Sequence, residues 1–185
     1  MKRSRVIANW KRLVRTFDLI VIGSGSGLEV SSEAADRGLS VAVVEHGPFG
    51  GTCLNRGCIP SKMLIHSADV METIRRAELF GIKVEALSVD WDFIIKRASD
   101  TVDDDAQTVE EGNLQHPKIA VFKDTARFVG EKVLGVGGER ISAETIIIAA
   151  GTRPCVPEIE GIWDVPFITS DEALRLPKTV RACPS

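Results

Sequence analysis

A chain of 185 residues is long enough for one domain with a sizeable core. Hydrophobic residues make up 44% and charged residues 26%, as in ordinary globular proteins; no apolar run reaches membrane-spanning length or forms a signal-peptide core. The formal charge is −3, and residues 1–16 hold Lys2, Arg3, Arg5, Lys11, Arg12 and Arg15 with no acid, so the remainder is more acidic still, which argues against nucleic acid as a partner.

In the leader, Val6, Ile7, Trp10, Leu13 and Val14 fall on one side of a helix and the bases elsewhere. Residues 1–16 are read as a disordered basic extension, with a targeting peptide or a membrane-surface helix as alternatives. From Phe17 the texture changes. Leu19-Ile20-Val21-Ile22 predicts a buried strand, followed by a glycine turn, Gly23-Ser24-Gly25-Ser26-Gly27, and a helix through Arg37 that Gly38 ends. Ser40–Val44 predicts a second strand, ending on Glu45. Strand, glycine turn, helix, strand and acid together make a dinucleotide-binding unit. Gly23 permits the tight turn, and Gly25 lets the backbone approach a pyrophosphate held at the helix N-terminus. Glu45 stands where an acid accepts hydrogen bonds from a ribose. The third fingerprint position is Leu28 in place of glycine, which puts close helix–strand packing in question.

Next come Cys53 and Cys58, inside Gly50-Gly51-Thr52-Cys53 and Cys58-Ile59-Pro60-Ser61-Lys62. A four-residue interval containing Gly57 lets two thiols open and close as a disulfide. Cys58 at a helix N-terminus would be stabilised as a thiolate, and a small tight ring tends to be redox-active. Half a zinc site and a pair of incidental buried cysteines are the other readings, although Cys155 and Cys183 form no second close pair. No metal site is expected. Four cysteines with one close pair make no secreted framework, so the expected compartment is cytoplasmic.

Pro60 suits a first helical position, and Leu64, Ala68, Met71 and Ile74 share one helix face until Gly81. Asp90 predicts the N-cap of a second helix to about Gly112, with Ile95, Ala98, Val102, Ala106 and Val109 as its buried stripe; Asp103-Asp104-Asp105 reads as solvated. Strands follow at Ile119–Phe122, Ala126–Gly130, Val133–Val136 and Glu139–Ile141, with a hairpin at Gly137-Gly138, and Thr145–Ala150 is a last buried strand. A short helix near Asp171–Leu176 closes the readable pattern.

The run from Gly50 to Lys62 resembles the active-site segment of the pyridine nucleotide–disulfide oxidoreductases, flavoenzymes that include dihydrolipoamide dehydrogenase, mycothione reductase, glutathione reductase and mercuric reductase. The resemblance covers residues 17–180 and extends to Thr145–Pro154 and Thr169-Ser170-Asp171. It implies an α/β fold, a Rossmann-like FAD-binding domain with a parallel sheet and an added antiparallel meander, over residues 17–155, then a crossover segment and tail at 156–185. It implies FAD as cofactor, with Gly23, Gly25, Gly27 and Glu45 on its ADP half, Gly51 and Thr52 by the phosphates, Ala126 reading the adenine, Gly151 in a second FAD marker, and Lys62 by the flavin. Cys58 would be the thiolate beside the flavin and Cys53 the thiol that meets substrate. The resemblance implies NAD(P) for the full-length family, at a site expected to be absent from these residues.

Ile59-Pro60-Ser61-Lys62 fits the dihydrolipoamide dehydrogenase type, with a mycothione reductase-like enzyme or a non-catalytic FAD-binding fragment as alternatives. The implied partners are a small-molecule or lipoyl-domain disulfide or dithiol, with no nucleic acid and no membrane, and a homodimer in the family whose dimerisation domain is absent here. The sequence is expected to be a fragment, inactive alone, with an unpaired sheet edge.

Overall fold

A computed structural model describes residues 14–179. Six strands form one sheet in the order β3-β2-β1-β6-β5-β4. β1 (Val14–Ile22) lies between β2 (Val41–Val44) and β6 (Glu139–Ile148), parallel to both, and β3 (Ile119–Phe122) extends the parallel part beyond β2. β4 (Arg127–Gly130) and β5 (Val133–Val136) complete the antiparallel meander with the start of β6. This is the α/β arrangement expected from the sequence.

The parallel strands read as continuous apolar runs because both faces are covered. On one face Leu19, Val21, Val41 and Val43 pack with Ala35 and Phe49. On the other, Ile20, Ala42, Val44 and Phe122 pack with Leu134, Val136, Ile141 and Ala143 of the meander. Burying each such side chain contributes about 1.5–3 kcal/mol. Helix α1 (Gly27–Asp36) is the crossover between β1 and β2, and Gly38, at φ 92°, turns the chain out of it.

Between β2 and β3 the chain runs through α2 (Gly51–Arg56), α3 (Cys58–Arg75), a 3-10 turn at Ala77–Phe80 and α4 (Trp91–Gln115). Asp90 caps α4 by accepting from the Phe93 N–H at 2.9 Å, and Ala98, Val102 and Ala106 are buried as their spacing predicts. The apolar face of α3 is different. Leu64, Ala68, Met71 and Ile74 line an open groove of about 860 Å³ against the start of α4, and Pro60 alone on this helix is buried. Helix α5 (Ser170–Ala173) carries a capping box, Thr169 with Glu172, in the crossover segment.

Several boundaries differ from the sequence reading. Val14-Arg15-Thr16 belong to β1, where Val14 to Phe17 pair in register with Arg140 to Ala143, so strand pairing takes residues assigned to the leader. The rest of the leader, like residues 180–185 of the tail with Cys183, lies outside the described residues. Glu139–Ile141 and Thr145–Ala150 are one strand, β6, whose start serves β5 and whose length serves β1; its last residue, Ile148, is 68% exposed. Pro60 is the third residue of α3, since the helix begins at Cys58.

Candidate dinucleotide and dithiol site

The carboxyl ends of β1, β2 and β6 meet where the strand order reverses about β1, the place where open parallel sheets bind ligands. A cleft of about 650 Å³ opens there. Gly23, Gly25, Glu45, Gly51, Thr52, Cys53 and Gly151 all line it, so most of the sequence-assigned residues come together.

Gly23 (φ 104°) follows β1, and its N–H donates to Val44 at 2.8 Å; a Cβ there would stand 2.2 Å from the Ala149 carbonyl oxygen. Gly27 answers the question raised by Leu28. A Cβ on Gly27 would lie 2.6 Å from Val21 Cγ1 and 3.0 Å from Ala149 Cβ, so this glycine lets α1 approach the sheet, while Leu28 packs against the core. Gly27 is therefore a packing residue and is not in the cleft wall. Ser26, the α1 N-cap, makes no side-chain cap bond, which leaves the helix N-terminus open to an anion.

Glu45 is held from several sides. Its Oε2 accepts from the Ser24 N–H at 3.0 Å and the Ser24 hydroxyl at 2.8 Å, and its Oε1 accepts from the Gly47 N–H at 2.8 Å. Burial pushes the carboxyl up, but the Gly47 and Ser24 hydrogen bonds and nearby His46 outweigh it, and the pKa falls below its ordinary value. The turn beyond is anchored by the buried Phe49, under the Lys123 ammonium at 5.0 Å, and Lys123 also donates to the Gly47 carbonyl at 2.8 Å.

Cys53 lies within α2 and Cys58 opens α3; both are free thiols and both are exposed. The close turn between the helices depends on Gly57, where a Cβ would stand 2.9 Å from the Thr52 carbonyl oxygen and 3.3 Å from the Cys53 Cα. The Cys58 side chain, within hydrogen-bonding reach, pushes the Cys53 thiol up; lost hydration and charge on Cys58 act the same way, against the Cys58 N–H. Cys53 lines the cleft and Cys58 does not. Nor do Lys62, exposed on α3, or Ala126, which packs against the meander-side core.

Several cleft residues escaped the sequence reading. Ser24, 1% exposed, latches Glu45; Asn55 holds the turn through the Phe49 and Gly51 carbonyls. Asp103 is exposed, as its acidic run suggests, and it also has a partner: Arg175 grips it at 3.0 and 2.7 Å, and that hydrogen bonding draws its carboxyl down. Arg56 pairs with Asp171 at 3.0 Å, so two ion pairs fasten the crossover segment beside the cleft. Glu45 had a spacing signal; these partners, distant in sequence, had none.

The family described as pyridine nucleotide-disulphide oxidoreductase matches residues 17–182. The chain belongs to this family. Mycothione reductase of Mycobacterium tuberculosis is 37% identical over 171 residues, covering 88% of this chain and 37% of that protein. Dihydrolipoyl dehydrogenase of Chlamydia pneumoniae is 41% identical over 146 residues, covering 77% of this chain and 32% of that one. Among solved structures, the HOCl-induced flavoprotein disulfide reductase RclA from Escherichia coli superposes with a TM-score of 0.73 at 29% identity, over 87% of this chain and 34% of RclA. The chain thus spans about a third of the length of the relatives it matches.

As in the family's flavoproteins, the cleft suits a dinucleotide such as FAD. Gly25 and Gly51 face each other without side chains, the α1 N-terminus is free for a diphosphate, Glu45 offers acceptors for a ribose, and Asn55 Oδ1 is buried without a partner. Among the described residues no helix is long and apolar enough to cross a membrane, and no three His, Cys, Asp or Glu side chains gather as metal ligands.

Proposed function

We propose that this chain is the FAD-binding, cysteine-bearing part of a cytoplasmic NAD(P)-linked oxidoreductase of dihydrolipoamide dehydrogenase type. The observation that carries the reading is an exposed thiol, Cys53, in the wall of a cleft suited to a dinucleotide, with a second exposed thiol, Cys58, just across the tight Gly57 turn. FAD, when bound, supplies the electron pair that interconverts the disulfide and the dithiol. Gly23, Gly25, Gly51 and the α1 N-terminus would take the diphosphate, and Glu45 the adenosine ribose. Gly151 and Thr52 would close the cleft, with Ala126 and Lys62 as outer contacts. Cys53, exposed and holding its proton more firmly than an ordinary thiol, meets a small-molecule or lipoyl-domain disulfide or dithiol. Formation of the Cys53–Cys58 bond releases two electrons and two protons; its reduction takes up the same.

A mycothione reductase-like disulfide reductase is a second reading, supported by 37% identity over 88% of the chain. A non-catalytic flavin-binding role is a third.

Reductive titration of the FAD-loaded chain tests the proposal. Four electron equivalents per flavin are expected for the native pair and two for the C53S/C58S variant. Uptake of two by both proteins would refute a redox disulfide.

A further inference from the structure

Asn55 is 6% exposed and sits on α2 between the two cysteines. Its Nδ2 donates to the carbonyls of Phe49 and Gly51 at 2.8 and 3.0 Å. Those bonds fix which way the amide faces, because turning it over would set Oδ1 against two carbonyl oxygens. Oδ1 is left buried and unpartnered although Asn55 belongs to the cleft wall. Among the described residues one other buried side-chain oxygen is in this condition, that of Asn113, which does not line the cleft. Buried polar atoms nearly always have partners, so the vacancy marks a missing donor.

Resting on the function proposed above, we infer that Asn55 Oδ1 accepts a hydrogen bond from a hydroxyl of the sugar chain joining the diphosphate of FAD to its ring system. The group must be a donor, which rules out the diphosphate, whose oxygens only accept at neutral pH. Position favours the middle of the ligand. Glu45 marks the adenosine end, and Asn55 grips the carbonyl of Gly51, beside the fingerprint turn, while standing between the thiols that the ring must reach. Asn55 thus reads the stretch between diphosphate and ring.

The test measures binding of FAD, ADP and a deoxyribityl FAD, lacking the sugar-chain hydroxyls, to the native chain and to Asn55→Ala. FAD is expected to lose five- to tenfold more affinity in Asn55→Ala than ADP or the deoxy analogue does, since those two report only the loosened Gly51 turn. Equal losses for FAD and ADP would overturn the inference, because Asn55 would then act only through the turn it clamps. If Asn55→Ala does not fold, nitrogen-15 spectra of the native chain decide: the Asn55 side-chain amide should shift on adding FAD and differ with the deoxy analogue. Identical shifts with both would overturn it. A native chain that binds ADP and FAD at no measurable affinity would reject the proposed function itself.

Discussion

A Cβ built on Gly51 would stand 2.5 Å from the Cα of Gly25, so the fingerprint turn and the first turn of the cysteine-bearing helix are in backbone contact. Gly51 also holds φ at 63°, a conformation that L side chains rarely adopt. One residue therefore couples the fingerprint turn, the proposed diphosphate site, to the cysteine-bearing helix.

Gly51→Ala should destabilise the chain by about 2 kcal/mol, from left-handed strain and the clash with Gly25. ADP affinity should fall at least tenfold. Thermal unfolding and titration calorimetry check both. Native-like ADP binding would show that the two backbones need not touch.

Gly27 and Leu28 offer a paired test. Gly27→Ala forces a methyl to 2.6 Å from Val21 Cγ1 and should cost about 1–3 kcal/mol. Leu28→Gly restores the usual fingerprint spelling, yet it should also destabilise, because Leu28 packs on the core and glycine weakens the first turn of α1. A rise in melting temperature for Leu28→Gly would contradict the packing described.

Much of this was legible because it is local. The turn from Gly23, the helix, the Val-rich strand and Glu45 follow one another, and each carries its own signal. β6 was divided in two because its polar Ser142 and Glu144 interrupt the apolar pattern, whereas pairing with both β1 and β5 holds it in one strand. Val14-Arg15-Thr16 read as the end of a disordered leader for a similar reason: their strand partners lie over a hundred residues away. Asp103 is solvated, as an acidic run implies, but nothing local to it announces its partner Arg175. Asn55, uncharged and inside the cysteine segment, was read past.

Glu45 gives the pH dependence. Its folded-state pKa is depressed, so its contribution to stability is present above the unfolded value of about 4.3 and is lost as pH falls through the folded value. Ser24→Ala removes one of the bonds responsible, leaving the N–H bond. The acid limb of the stability curve should then move to higher pH, by denaturant titration at several pH values. Superimposable acid limbs would count against the hydroxyl's part in holding the charge.

Cys53 supplies a chemical test. Since Cys58 pushes its thiol up, Cys58→Ala should lower the pH of half-maximal Cys53 alkylation and speed the reaction at neutral pH several-fold. Iodoacetamide labelling followed by peptide mass spectrometry reads this. A pH midpoint that stays where it was would mean the sulfurs do not sense each other.

The most direct measurement is a thiol map of the full chain after mild oxidation and after reduction. A peptide linking Cys53 to Cys58 should form quantitatively on oxidation and disappear with a dithiol, Cys155 remaining free throughout. Recovery of both as separately alkylated thiols under oxidising conditions would contradict a working redox pair.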